Sequence, residues 1–71
     1  MTTATQPTLT AETDDREVYR AGQFHFDAEG NTVTVTRDTP GGIITVNVHT
    51  YRNHETACEM AWKMACRQMR A

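Results

Sequence analysis

No stretch of this 71-residue chain approaches the ~20 consecutive apolar residues of a membrane-spanning helix. Residues Met1 to Thr10 lack the basic start and apolar core of a signal peptide. A soluble protein in the cytoplasm, with no membrane contact, is therefore expected. A dense basic stripe is missing too: seven Lys and Arg stand against nine Asp and Glu, a formal charge of −2. Non-specific nucleic-acid affinity scales with the number of phosphates neutralised, so this composition is poor equipment for gripping a phosphate backbone. The chain has no phosphate loop, paired-carboxylate motif or nucleophile elbow. No catalytic residue and no cofactor are assigned, and the length allows one small domain without a large substrate pocket.

Cysteine is scarce, and the two present are badly placed for each other. Cys58 and Cys66 lie eight residues apart on one helical segment, about 12 Å along the axis and beyond disulfide reach. Cys58 reads as a small core residue, and Cys66 as an exposed thiol or an intermolecular contact. His54 and Cys58 have the i,i+4 spacing of two metal ligands, with His49 nearby. A structural zinc site needs four ligands, so no metal is expected.

Charge is distributed unevenly. Met1 to Val35 carries a net −4, and Thr36 to Ala71 a net +2. Residues 1–16 are rich in Thr and acid, with Leu9 the only large apolar side chain before Val18. Such a segment buries too little to offset the entropy of ordering, and it reads as a flexible arm before a domain over 17–71.

From Glu17 the hydrophobic period is two, with Val18, Gly22, Phe24 and Phe26 on one parity. The pattern predicts a strand over about 17–27, and Ala28 to Asn31 supplies a turn with Gly30 in it. Val33 and Val35 alternate with threonines over 32–37, and Pro40-Gly41-Gly42 makes a second turn. Over 43–51, Ile44, Val46 and Val48 point one way while Thr45, Asn47, His49 and Tyr51 point the other. The period then becomes 3.6, predicting a helix over about 54–70 capped by Asn53. Ala57, Ala61 and Ala65 form its apolar centre, with Cys58, Met60, Trp62, Met64 and Met69 beside them. Glu55, Glu59, Lys63, Arg67 and Arg70 take the opposite arc, the acids near the start and the bases near the end, as the helix dipole favours.

These elements predict an α+β fold: a three-stranded antiparallel meander packed against one C-terminal amphipathic helix, behind a disordered N-terminal arm. Phe24, Phe26, Val33, Val35, Ile44, Val46 and Val48 would meet the alanine stripe. His25, Thr34, Thr45, Asn47, His49 and Tyr51 would lie on the sheet face turned away from it.

The run Asn53 to Ala61 resembles, in pattern, the capped, alanine-spaced helix entry of double-stranded RNA-binding domains and of the N-terminal DNA-binding domains of phage-type integrases. Glu55 and Glu59 stand where the RNA-binding family carries a lysine pair. The exposed strands bear Thr in place of groove-reaching basic and aromatic residues. No family is assigned on that pattern. Size, acidity and poverty of motifs are those of small accessory proteins that bacteriophages encode, anti-CRISPR inhibitors among them. The expected function is a non-enzymatic protein-binding module that occludes a partner's surface. Its candidate contact residues are Tyr19, His25, Asn47, His49, Tyr51, Arg52, Trp62, Lys63, Arg67 and Arg70. So small a core is expected to need that protein partner or a homodimer. The alternative is a nucleic-acid-binding regulator that uses Arg37, Arg52, Lys63, Arg67 and Arg70.

Overall fold

The computed structural model describes residues 6–70. It contains β1 (Thr8–Thr13), β2 (Arg16–Ala21), β3 (Phe24–Glu29), β4 (Thr32–Thr39), β5 (Gly42–Thr50) and α1 (His54–Arg70). The fold is α+β, an antiparallel sheet with one C-terminal helix. Every strand pairs with the next in chain order, β1-β2-β3-β4-β5.

Five strands replace the expected three, for two local reasons. The predicted strand over 17–27 is a hairpin, broken at Gly22-Gln23, where Gly22 takes φ 65°. That sign at the first turn residue suits a two-residue hairpin, and glycine adopts it without steric cost. The turn resets the alternation, so Tyr19 pairs with Phe26 and Ala21 with Phe24, while Val18 sits opposite Asp27 on the other face. The second reason is β1. Residues 8–13, expected to be part of a flexible arm, pair with β2, and Thr10 donates a hydrogen bond to the Val18 carbonyl at 3.2 Å. Backbone pairing holds β1, since its side chains are all exposed. Pro7 just before it is buried. The part of the expected arm over 1–5 lies outside the described residues.

The helix begins as its sequence predicts. Asn53 caps it, its Oδ1 accepting the Thr56 N–H at 2.8 Å and its carbonyl the Ala57 N–H at 3.1 Å. Ala57, Ala61 and Ala65 are fully buried against Ala21, Phe26, Ala28, Val33 and Val35. Methyl side chains let the helix approach the sheet closely, and it packs on β3 and β2, with β4 a lesser neighbour.

The third hydrophobic run fares differently from its prediction. Ile44, Val46 and Val48 are 49 %, 50 % and 55 % exposed and do not join the core. A bulge between Val35 and Thr36 makes Val46 the extra residue of β5. Alternation fails there: Ile44 stands beside Arg37 on the helix side, whereas Val48 stands beside Thr34 on the open side.

Three outcomes follow from this packing. Ala61→Leu forces three carbons into a closed helix–sheet contact and is expected to cost roughly 1–3 kcal/mol. Lys63→Ala, on the exposed arc, should cost less than about 0.5 kcal/mol, both read from urea unfolding. Truncation to a chain starting at Asp14 removes the β1 ladder and uncovers Val18. It should lower stability by roughly 2 kcal/mol or more, from lost hydrogen bonds and burial together. An unchanged unfolding midpoint would show that β1 contributes nothing to the fold.

Candidate functional site

The side chains on the helix side of the sheet fall into rows across the strands. One row runs Leu9, Tyr19, Phe26, Val35, Asn47, and the next Glu12, Glu17, Ala28, Val33, His49. Asn47 and His49 therefore lie on the helix side, not on the far face where simple alternation puts them. Tyr51 follows the same parity and packs half-buried against the core, its ring 6.3 Å from that of His49. The bulge at Val46 causes all three reversals.

A cleft of about 240 Å³ opens where α1 ends its cover of the sheet. Phe24, Phe26, Val35 and Val46 form its apolar part with Met64 from the helix, and Asn47, His49, Arg67 and Gln68 add polar groups. Arg37 lies over the Phe24 ring, 5.7 Å from its centroid, in the row that ends at Ile44. None of these residues is acidic. The cleft continues onto β5, where every residue but His49 is exposed. Among the described residues, four of the six exposed large hydrophobic residues belong to that strand: Ile43, at 71 %, Ile44, Val46 and Val48.

The other candidate residues are dispersed. Tyr19 is on the opposite flank of the helix, its ring edge-to-face with Trp62 at 5.3 Å and its hydroxyl donating to Glu17 Oε1 at 2.6 Å. His25 is on the open face, 3.1 Å from Asp38 Oδ2. Arg52 is exposed in the turn before α1. Trp62, Lys63, Arg67 and Arg70 line a second shallow cleft with the half-buried Cys66. Of the ten, then, Asn47, His49 and Arg67 meet in the cleft beside β5, and Arg67 also borders the second. Sequence reasoning missed Ile44, Val46, Met64 and Gln68 as surface residues, and singled out Arg37 only for a nucleic-acid contact. One signal was available: Gly42 to Thr50 contains no charge, in a chain where 23 % of residues are charged.

One pair has the residue types of a nucleophile and its base. His54 Nδ1 lies 2.5 Å from the Gly30 carbonyl, and its Nε2 lies 3.4 Å from Cys58 Sγ. A carbonyl only accepts, so Nδ1 carries the proton; Cys58 Sγ, 3.4 Å from Nε2 and 3.8 Å from Nδ1, packs over the ring face. An activated cysteine has a lowered pKa. Here burial pushes the Cys58 thiol up to about 11, with the Glu17 carboxylate adding to the rise. The thiol stays protonated at neutral pH and acts as a packing group. The same causes, burial first and Glu17 second, raise the Tyr19 phenol. Among the described residues, no group of three or more His, Cys, Asp or Glu is placed to hold a metal ion.

No protein-family model, curated protein or solved structure matches the chain.

The raised thiol pKa has two measurable consequences. In a Cys66→Ser background, Cys58 should react with iodoacetamide at pH 8 at least tenfold more slowly in the folded protein than in urea. Because the folded pKa lies above the unfolded one, the stability due to the neutral thiol is complete below about pH 9. It is lost as pH rises toward 11. Equal alkylation rates in the two states would remove the basis for both.

Proposed function

We propose that this protein is a non-enzymatic protein-binding module whose working surface is the helix-side face of β5 with the adjoining cleft beside α1. The exposure of Val46 beside Phe24 and Met64, continued along β5 by the exposed Ile44, carries this reading. Contiguous apolar surface rimmed by polar groups marks interaction sites in soluble proteins. The strand's edge is blunted by its own structure, so its face is the better contact. The Val46 bulge interrupts any ladder, and Asn47 Oδ1 takes the Val48 N–H at 3.2 Å. Size and the want of a reaction motif support a module that acts by covering a partner's surface, as small phage-encoded accessory proteins and anti-CRISPR inhibitors do.

A second reading has its own observation. Trp62, 36 % exposed, shares a cleft with Lys63, Arg67 and Arg70, and cations beside an aromatic ring suit single-stranded nucleic acid. A gel shift over a salt series tests it, since phosphate contacts give a steep salt slope.

The β5 reading is tested by placing a photo-crosslinking benzoylphenylalanine at Val46 and, separately, at Arg20 on the open face, then irradiating extracts of the source cell. Discrete protein adducts at position 46 and none at position 20 are expected. Equal labelling at the two positions, or none at 46, overturns the reading.

A further inference from the structure

Five strands at ~4.8 Å spacing are about 20 Å across, whereas an α-helix is about 10 Å wide. A single helix therefore covers about half of such a sheet. Here α1 sits on β2 and β3 and buries Val33 and Val35 of β4, so on the helix side it leaves the two edge strands bare, β1 on one flank and β5 on the other. A second helix packed beside α1 at the usual ~8–10 Å between axes would run over the strip formed by β5 and the adjoining cleft. Its floor is apolar, through Ile44, Val46 and Phe24, and the flank of α1 facing it presents Met64. Methionine suits an adaptable contact. Two cations border the strip, Arg37 over the Phe24 ring and Arg67 on the last turn of α1, and none of the described residues lining the cleft is acidic.

We infer that the occupant of this strip is an acidic amphipathic helix of another protein, lying beside α1 over β5 with its carboxylates against Arg37 and Arg67. The inference rests on the reading of β5 as the binding surface and supplies the chemistry of its partner. Laying an apolar stripe into a groove is a common mode of helix recognition, and opposite charges at the rim fix its orientation and hasten encounter. A second copy of this chain fits less well. Its helix already buries the alanine arc, and its outward face carries Glu55, Glu59, Lys63, Arg67 and Arg70. Its β5 is uncharged and offers nothing to the two arginines. An added strand is opposed by the bulge and by the Asn47 cap on Val48.

The test uses the full chain and two synthetic helices that share a leucine stripe, one flanked by glutamates and its twin by lysines. The glutamate helix should shift the methyl resonances of Ile44, Val46 and Met64 saturably. Its affinity should exceed that of the lysine twin at least tenfold at low salt and fall as salt screens the charges. Arg67→Glu, at an exposed position that should not disturb folding, should reverse the preference between the twins. Val46→Lys should abolish the shifts for the glutamate helix while leaving the circular dichroism unchanged. Equal binding of the two helices, shifts confined to the open face, or no saturable shift with either helix would each overturn the inference. So would a dimer in sedimentation equilibrium that Val46→Lys converts to monomer, because a second copy would then hold the strip. Protein adducts at position 46 together with any of these results would leave β5 as the binding surface and reject only the acidic helix.

Discussion

The contact between the alanine stripe of α1 and the centre of the sheet governs the rest of the molecule. Ala57, Ala61 and Ala65 bring the helix axis close over Phe26, Ala28 and Val33. At that distance larger residues cannot lie beneath the helix and are displaced to its two flanks. On one side Trp62 closes over Tyr19; on the other Met64 leans toward Phe24 and Phe26. A helix held so near β3 cannot also reach β5, which is why a strand with four large apolar residues remains outside the core.

The two edges of the sheet differ in kind. β1 is short and wholly exposed, and it carries Glu12 and ends at the acidic turn Asp14-Asp15. Charge on an edge discourages pairing with a second chain. β5 is longer, has no charge, and is guarded only by a bulge and one side-chain cap. Exposure of that kind has a cost in solubility, and natural proteins retain it where the surface has a use. The halves of the sequence differ in sign, and the fold converts that difference into space. Four of the six acids of the first half lie on β1, β2 and the turn between them and the other two, Asp27 and Glu29, on β3, while Arg37, Arg67 and Arg70 lie around the cleft and the end of α1.

The cluster around Cys58 shows how residue type and environment diverge. A histidine four residues before a cysteine on one helix face, oriented through its other nitrogen by a backbone carbonyl, has the connectivity of a catalytic pair. Burial and the neighbouring Glu17 drive the thiol toward its protonated form, opposite to what nucleophilic attack requires. The pair instead ties the start of α1 to the turn at Gly30, through the hydrogen bond from His54.

The helix was legible in the sequence, from its Asn53 cap to the arginines of its last turn, because capping and 3.6-residue periodicity are local properties. The core strands around Phe26, Val33 and Val35 were legible for the same reason. The hairpin at Gly22-Gln23 was concealed, because alternation on either side of a two-residue turn mimics one long strand. β1 gave no apolar signal, since its order comes from backbone hydrogen bonds to β2, which any sequence without proline can make. The exposure of β5 was the deepest miss. An apolar alternating run reads as core until it is known how far the covering helix extends, and that reach was set by three alanines elsewhere in the chain. The bulge at Val46 then decided which of its side chains share the cleft. Neither effect is local: the sequence by itself determined the elements and their faces, and only the tertiary packing decided which apolar face would be left bare.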